Sequence, residues 1–209
     1  MSITEILRTV SSSLQTPVIF LLILLIAITI ILFGSVIAEL FIERKYLRVN
    51  GAVLPNMVEE IHAHPKRIGA CIEKSKLLKR QKAVLNELIN HKSITDSERE
   101  SLAVRLIERE QAIYDRRTRV TDLIAKIGPM LGLMGTLIPL GPGIIALGQG
   151  DTYTLSNSLL VAFDTTIAGL VCALVSLCIS VVRKTWYRNY MSVLEMLTEC
   201  ILEEEQRDD

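Results

Sequence analysis

Apolar residues dominate three stretches of the chain, Pro17 to Ala38, Ile127 to Leu147 and Ser158 to Val182, each of at least 21 residues and interrupted by a single charge, Asp164. At about 1.5 Å per residue, such a helix crosses a hydrocarbon layer of about 30 Å. Three transmembrane helices are therefore predicted at 17–38, 127–147 and 158–182. The first has too long an apolar core for a signal peptide and runs directly into Glu39, Glu43, Arg44 and Lys45. Outside the spans the apolar spacing is helical. Ile3, Ile6, Leu7, Val10 and Leu14 suit an outer-side amphipathic helix over 1–16. The region 39–126 has few turn signals. Leu54-Pro55, His64-Pro65 and the stretch from His91 to Asp96 are its expected breaks, leaving a helix near Lys66 to Asn90 and another starting at Thr95 or Asp96. No breaker follows until Gly128-Pro129, so this last helix should continue unbroken into the second span. Its stripe of Leu102, Leu106, Ile107, Ile113, Val120, Leu123, Ile124 and Ile127 requires a packing partner. A short loop, 148–157, joins the last two spans. Residues 183–209 repeat the apolar pattern at Met191, Leu194, Leu197, Ile201 and Leu202, as a C-terminal helix with an acidic end.

Charge orients this all-α membrane protein. Residues 39–126 hold 18 Lys and Arg against 13 Asp and Glu, and Arg183, Lys184 and Arg188 follow the third span. The 148–157 loop has no basic residue, and the first seventeen residues have only Arg8. The excess of basic residues places the large middle segment and the C-terminus in the cytoplasm, and the N-terminus and short loop outside. The four cysteines show no metal or redox spacing. His62-x-His64 reads as surface, and Lys79-Arg80-Gln81-Lys82 as the solvated side of an amphipathic helix or a contact for acidic lipid. Phosphate loops, nucleophile elbows and zinc-protease motifs are missing, no histidine lies in a span, and no enzyme is expected.

Two small-residue faces run through the spans. Gly128, Gly132, Gly135, Pro139, Pro142, Ala146 and Gly150 mark the second, and Ser158, Ala162, Thr165, Gly169, Ala173, Ser176 and Ser180 the third. Stripped of bulk, such faces allow close helix packing in lipid. Pro129, Pro139 and Pro142 also free backbone carbonyls. Asp164 is the only charge in the run from Thr152 to Val182, and an ionised carboxylate at membrane depth costs at least a few kcal/mol. It serves an ion path, or it only locks helices together, either held neutral or sitting near the outer interface where water reaches it. Thr136, Thr165 and Thr166 either bond carbonyls of their own helices or extend a polar path beside that acid.

The stretch Gly128-Pro129-Met130-Leu131-Gly132-Leu133-Met134-Gly135-Thr136 resembles the second-span signature of the MotA/TolQ/ExbB proton-channel family. Ala162-Phe163-Asp164-Thr165-Thr166-Ile167-Ala168-Gly169-Leu170 resembles its third-span signature. Topology is similar too, and three rather than four spans place the chain nearer TolQ and ExbB than MotA. The resemblance implies a homopentameric ring in the cytoplasmic (inner) membrane, around a single-span ExbD/TolR/MotB-like partner with a membrane aspartate. It implies translocation of H+ or Na+ in an ion-driven motor, with no bound cofactor. By position, Thr136 and Thr166 match the two pore-lining threonines, and Pro129 matches the proline before the glycine-rich stretch. The glutamate common in ExbB-like proteins falls on Val161, with Asp164 three residues later. The expected ion pathway is Thr136, Asp164, Thr165 and Thr166, and the packing positions of the pore are Pro129, Gly132, Gly135, Pro139 and Gly169. Glu98, Glu108, Asp115 and Asp122 are the candidate acids for a cytoplasmic cavity. The alternative is a structural membrane scaffold without ion conduction.

Overall fold

The structure is a computed structural model that describes residues 13–63, 68–75, 77–90 and 96–208, with positions 3, 6, 9 and 10 before them. Half of the positions of the expected 1–16 helix, and also His64, Pro65 and residues 91–95 of the expected break, lie outside the described residues. Among the described residues five helices have defined bounds: α1 Gln15–Ala63, α2 Ile68–Lys74, α3 Lys79–Asn90, α4 Asp96–Gly148 and α5 Thr152–Asp208. Three of them, over Gln15–Phe41, Ser97–Gly148 and Thr152–Glu203, contain windows long and apolar enough to cross a membrane.

Two boundaries differ from the sequence expectation. The backbone of α1 stays helical through Leu54-Pro55, where a break was expected. A proline removes one backbone donor, which leaves a single ladder bond open rather than ending the helix. Conversely, the segment Lys66 to Asn90 is split between α2 and α3 without any glycine or proline at the break. Ser75 closes α2, its Oγ donating to the Ile72 carbonyl at 2.5 Å. Gln81 opens α3, its Oε1 accepting from the Leu78 amide at 3.1 Å, the reach-back half of a capping box.

In contrast, α4 runs through Pro129, Pro139 and Pro142 without ending. It stops where Gly150 takes φ +79°. There the Asp151 amide donates back to the Ala146 carbonyl at 2.9 Å, closing the turn in the manner of a Schellman motif. Asp151 then caps α5, accepting from the Thr154 amide at 3.0 Å and the Thr154 hydroxyl at 2.5 Å. Those bonds hold the Asp151 carboxyl below its ordinary range.

The chain packs as two compact units. One comprises Met1–Val36 and Thr118–Val182, and the other Ile37–Arg117 and Arg183–Asp209. Within the first, Leu25, Ile124 and Cys172 form a small core, with Ile28, Leu32 and Leu131 packed against it. Most apolar side chains of this unit point outward, including Ile30, Leu133, Leu137, Leu160 and Ile167. That inversion suits lipid or neighbouring protein, not water.

The second unit has a conventional interior built from Ile72, Leu85, Leu88, Leu106, Leu194 and Ile201. Tyr114 stacks on Tyr187 with ring centroids 4.4 Å apart, and Tyr190 tilts against both. Burial raises the pKa of the Tyr114 and Tyr187 hydroxyls. Gln81, almost wholly buried, donates to the Tyr190 carbonyl at 3.1 Å and so fastens α3 to α5. Arg80 grips the buried Glu110 at 3.0 Å, and the buried Arg183 bonds Glu39 at 2.9 Å.

Candidate functional site

In the first unit, the glycine face of α4 lies directly on the small-residue face of α5. A Cβ added at Gly128 would stand 2.7 Å from the Gly169 carbonyl, and one added at Gly169 only 2.5 Å from the Gly128 carbonyl. One added at Gly132 would meet Thr166 backbone at 3.4 Å, and one at Gly135 would meet Thr165 Cβ and Oγ1 at 2.6 Å. Farther along, the corresponding atom at Gly143 would touch Ser158 at 3.0 Å. The two helices are antiparallel, with residues 128–136 facing 162–173. Only glycine permits backbone to approach backbone this closely in a helix pair.

The three threonines sit on or beside this seam. Thr165 is buried against Gly135, and Thr136 and Thr166 are half-buried. Each hydroxyl donates within its own helix. Thr136 Oγ1 donates to the Leu133 carbonyl at 2.7 Å and Thr166 Oγ1 to the Ala162 carbonyl at 3.1 Å. Thr165 Oγ1 lies 2.9 Å from the Val161 carbonyl and 3.0 Å from that of Ala162. Their protons are committed, but every hydroxyl oxygen still has lone pairs to accept from a hydrated proton or to ligate a sodium ion.

Asp164 is placed elsewhere. Two residues before Thr166 on a helix, it lies about 200° around the axis. It is exposed and lines an open groove of about 490 Å³, walled by Ile26, Ile30 and Phe33 of α1 and by Ile167, Val171 and Val175 of α5. Thr29 also lines the groove, but its hydroxyl donates to the Leu25 carbonyl at 2.7 Å. The seam therefore collects Thr136, Thr165, Thr166, Gly132, Gly135 and Gly169, while Asp164 looks onto the groove between α1 and α5.

Of the other acids singled out by sequence, Glu98, Glu108 and Asp115 are exposed along α4. Asp122 is half-buried and accepts a hydrogen bond from Ser180 Oγ across the helix pair. Sequence reading missed that pairing, along with Thr118 and Thr121, which are buried on the same face of α4. Their signal was polar residues at helical spacing inside an otherwise apolar stripe. Among the described residues, no cluster of His, Cys, Asp or Glu has the makings of a metal site.

Three apolar helices, two of them joined along a glycine seam with hydroxyls at its edge, define a multi-pass helical membrane protein. Residues 74–196 match the MotA/TolQ/ExbB proton channel family, over more than half of the chain, and the chain belongs to that family. No curated protein matches it.

Proposed function

We propose that the chain is the outer-ring subunit of an ion-driven membrane motor, in which five copies surround a single-span ExbD/TolR/MotB-like partner. Protons or sodium ions would pass beside the ring, loading and releasing an acid on the partner. One charge crossing 100 mV yields about 2.3 kcal/mol, enough to bias such a movement. The observation that carries this reading is the meeting of the two signature stretches. Thr165 and Thr166 lie against Gly135 and Gly132, and the Thr136 and Thr166 oxygens remain at the edge of the seam. The basic residues of 39–126 and 183–188 support a cytoplasmic (inner) membrane location with the N-terminus outside and the C-terminus in the cytoplasm.

The experiment is proton or sodium uptake into liposomes holding the complex purified from its own membrane. Thr136→Val and Thr166→Val keep shape and remove the accepting oxygen, so gradient-driven uptake should fall at least about tenfold while the ring persists. Uptake at the wild-type rate in both variants would refute the pathway. One observation favours the scaffold reading instead: all three hydroxyl protons are satisfied within their own helices. That reading expects Val at both positions to leave assembly and output unchanged.

A further inference from the structure

The α4–α5 pair carries a second polar group, apart from the three threonines and at the other end of the glycine seam. Ser180, buried on α5, donates its Oγ hydrogen to Asp122 Oδ1 on α4. One turn deeper into the span, Ser176 is wholly buried, and its Oγ has no hydrogen-bond partner among the described residues. Thr121 is wholly buried too, seven residues before Gly128 and so on the same face of α4.

Ser176 differs from the other buried hydroxyls of this unit. Those of Thr29, Thr121 and Thr165 each donate to a carbonyl three or four residues back in their own helix. Ser176 bonds no such carbonyl. A buried hydroxyl left without a partner is costly, and in native proteins an ordered water or an ion usually satisfies it.

Ser176 and Ser180, four residues apart, continue the face that Gly169 and Ala173 present to Gly128. Side chains lean toward the N-terminus of their helix, which carries the Ser180 hydroxyl toward Ser176. The Ser180 hydrogen is given to Asp122 and the Thr121 hydrogen to the Thr118 carbonyl at 2.7 Å, so both oxygens keep lone pairs to offer. A carboxylate with hydroxyl oxygens is a hard ligand set, suited to a small cation and not to a soft metal. One carboxylate balances one positive charge. Among the described residues no cluster of three His, Cys, Asp or Glu supplies the further charge that a divalent ion would want.

The orientation proposed above puts this end of the pair at the cytoplasm. Ser176 lies six residues before Val182, about 9 Å inside the span, and Asp122 is half-buried, with one side open to water. Deeper in the span, Gly128 and Gly169 close the seam backbone against backbone.

We infer that Asp122, Ser180 and Ser176 form a binding site for a sodium ion at the cytoplasmic end of the α4–α5 pair, entered past Asp122. The ion bridges the two helices and supplies the partner that Ser176 lacks. The site is blind and separate from the pathway proposed through Thr136 and Thr166, and it requires neither a ring nor a motor partner.

The test uses the full-length chain in lipid nanodiscs, in nitrate salts. Sodium in place of choline, at equal ionic strength, should raise the thermal midpoint by about 2–4 °C, and Asp122→Asn should abolish the rise. Asparagine keeps the shape and still accepts from Ser180, so the helix pair survives the change. A second measurement reads position. With the four native cysteines replaced by alanine, Ser176→Cys should react with Ag+, a thiol-seeking monovalent cation, at least about tenfold faster than Leu177→Cys, whose side chain faces outward beside it. Sodium should slow that reaction by competition. A midpoint indifferent to sodium, a sodium shift that survives Asp122→Asn, or a Ser176→Cys thiol no faster than Leu177→Cys overturns the site, and none of these results bears on the ring.

Discussion

Replacing Gly169 by alanine tests the seam most directly. The new Cβ would stand 2.5 Å from the Gly128 carbonyl oxygen, 3.0 Å from Gly132 Cα and 3.1 Å from Gly132 N. All three atoms are backbone, so no rotamer change relieves the overlap. Reaching ordinary contact requires α4 and α5 to part by roughly 0.5–1 Å over a full turn, and overpacking of that kind costs about 1–3 kcal/mol. Gly34→Ala is the control, because nothing lies within 4 Å of its added Cβ. There the expected change is neutral or favourable by up to about 1 kcal/mol, from helix propensity alone. Cys172 reports the outcome. It is 4 % exposed inside the same unit, while Cys178 on the same helix is exposed and serves as the internal standard. When maleimide labelling is limited by the opening equilibrium, a loss of 1–3 kcal/mol raises the Cys172 rate by about 5- to 150-fold. Labelling of Gly169→Ala at the rate of Gly34→Ala would show that the close approach contributes nothing to holding these helices together.

Three other perturbations follow from the packing. Glu39→Ala removes the 2.9 Å ion pair to the buried Arg183 guanidinium and should destabilise the chain by about 1–3 kcal/mol, less than for a fully buried pair because Glu39 is partly exposed; thermal unfolding against Glu39→Gln measures it. Gln81→Ala removes both the α3 cap and the bond to Tyr190, a loss of about 1–3 kcal/mol. Because Trp186 packs on the same core, its emission should shift to the red at lower denaturant. The Asp151 carboxyl is held below its ordinary value of 3.8 by its bonds to Thr154, so its contribution is complete above that pH and is lost as pH falls through the lower folded value. Thermal midpoints measured downward from pH 5 should therefore fall more steeply for the wild type than for Asp151→Asn, and parallel curves would deny the cap this role.

Much of the architecture could be read from residue spacing. The start of α4 was visible because Asp96-Ser97-Glu98 precedes a long periodic run without a breaker, and its passage through three prolines was visible because lipid tolerates what water does not. The break between α2 and α3 was hidden. It is made by hydrogen bonds from Ser75 and Gln81, residues common inside helices, and only their folded positions reveal which carbonyl and which amide they satisfy. The Asp122 to Ser180 bond was hidden for another reason. It joins positions far apart in the chain, and no local pattern fixes the register of two antiparallel helices until the glycine contacts do.

Asp164 shows how neighbours in sequence can face different ways in the fold. Its isolation in an uncharged run singles it out, and its adjacency to Thr165 and Thr166 led the sequence reading to a shared path. Adjacency along a helix is separation around it. At about 100° per residue, Thr166 is about 200° from Asp164, so a helix that packs Thr165 and Thr166 toward the glycines of α4 turns the acid away from them. The family's glutamate position, Val161, lies about 300° before Asp164 and so only about 60° away from it around the helix. Asp164 therefore keeps roughly the face of Val161 but lies about 4.5 Å farther along the axis.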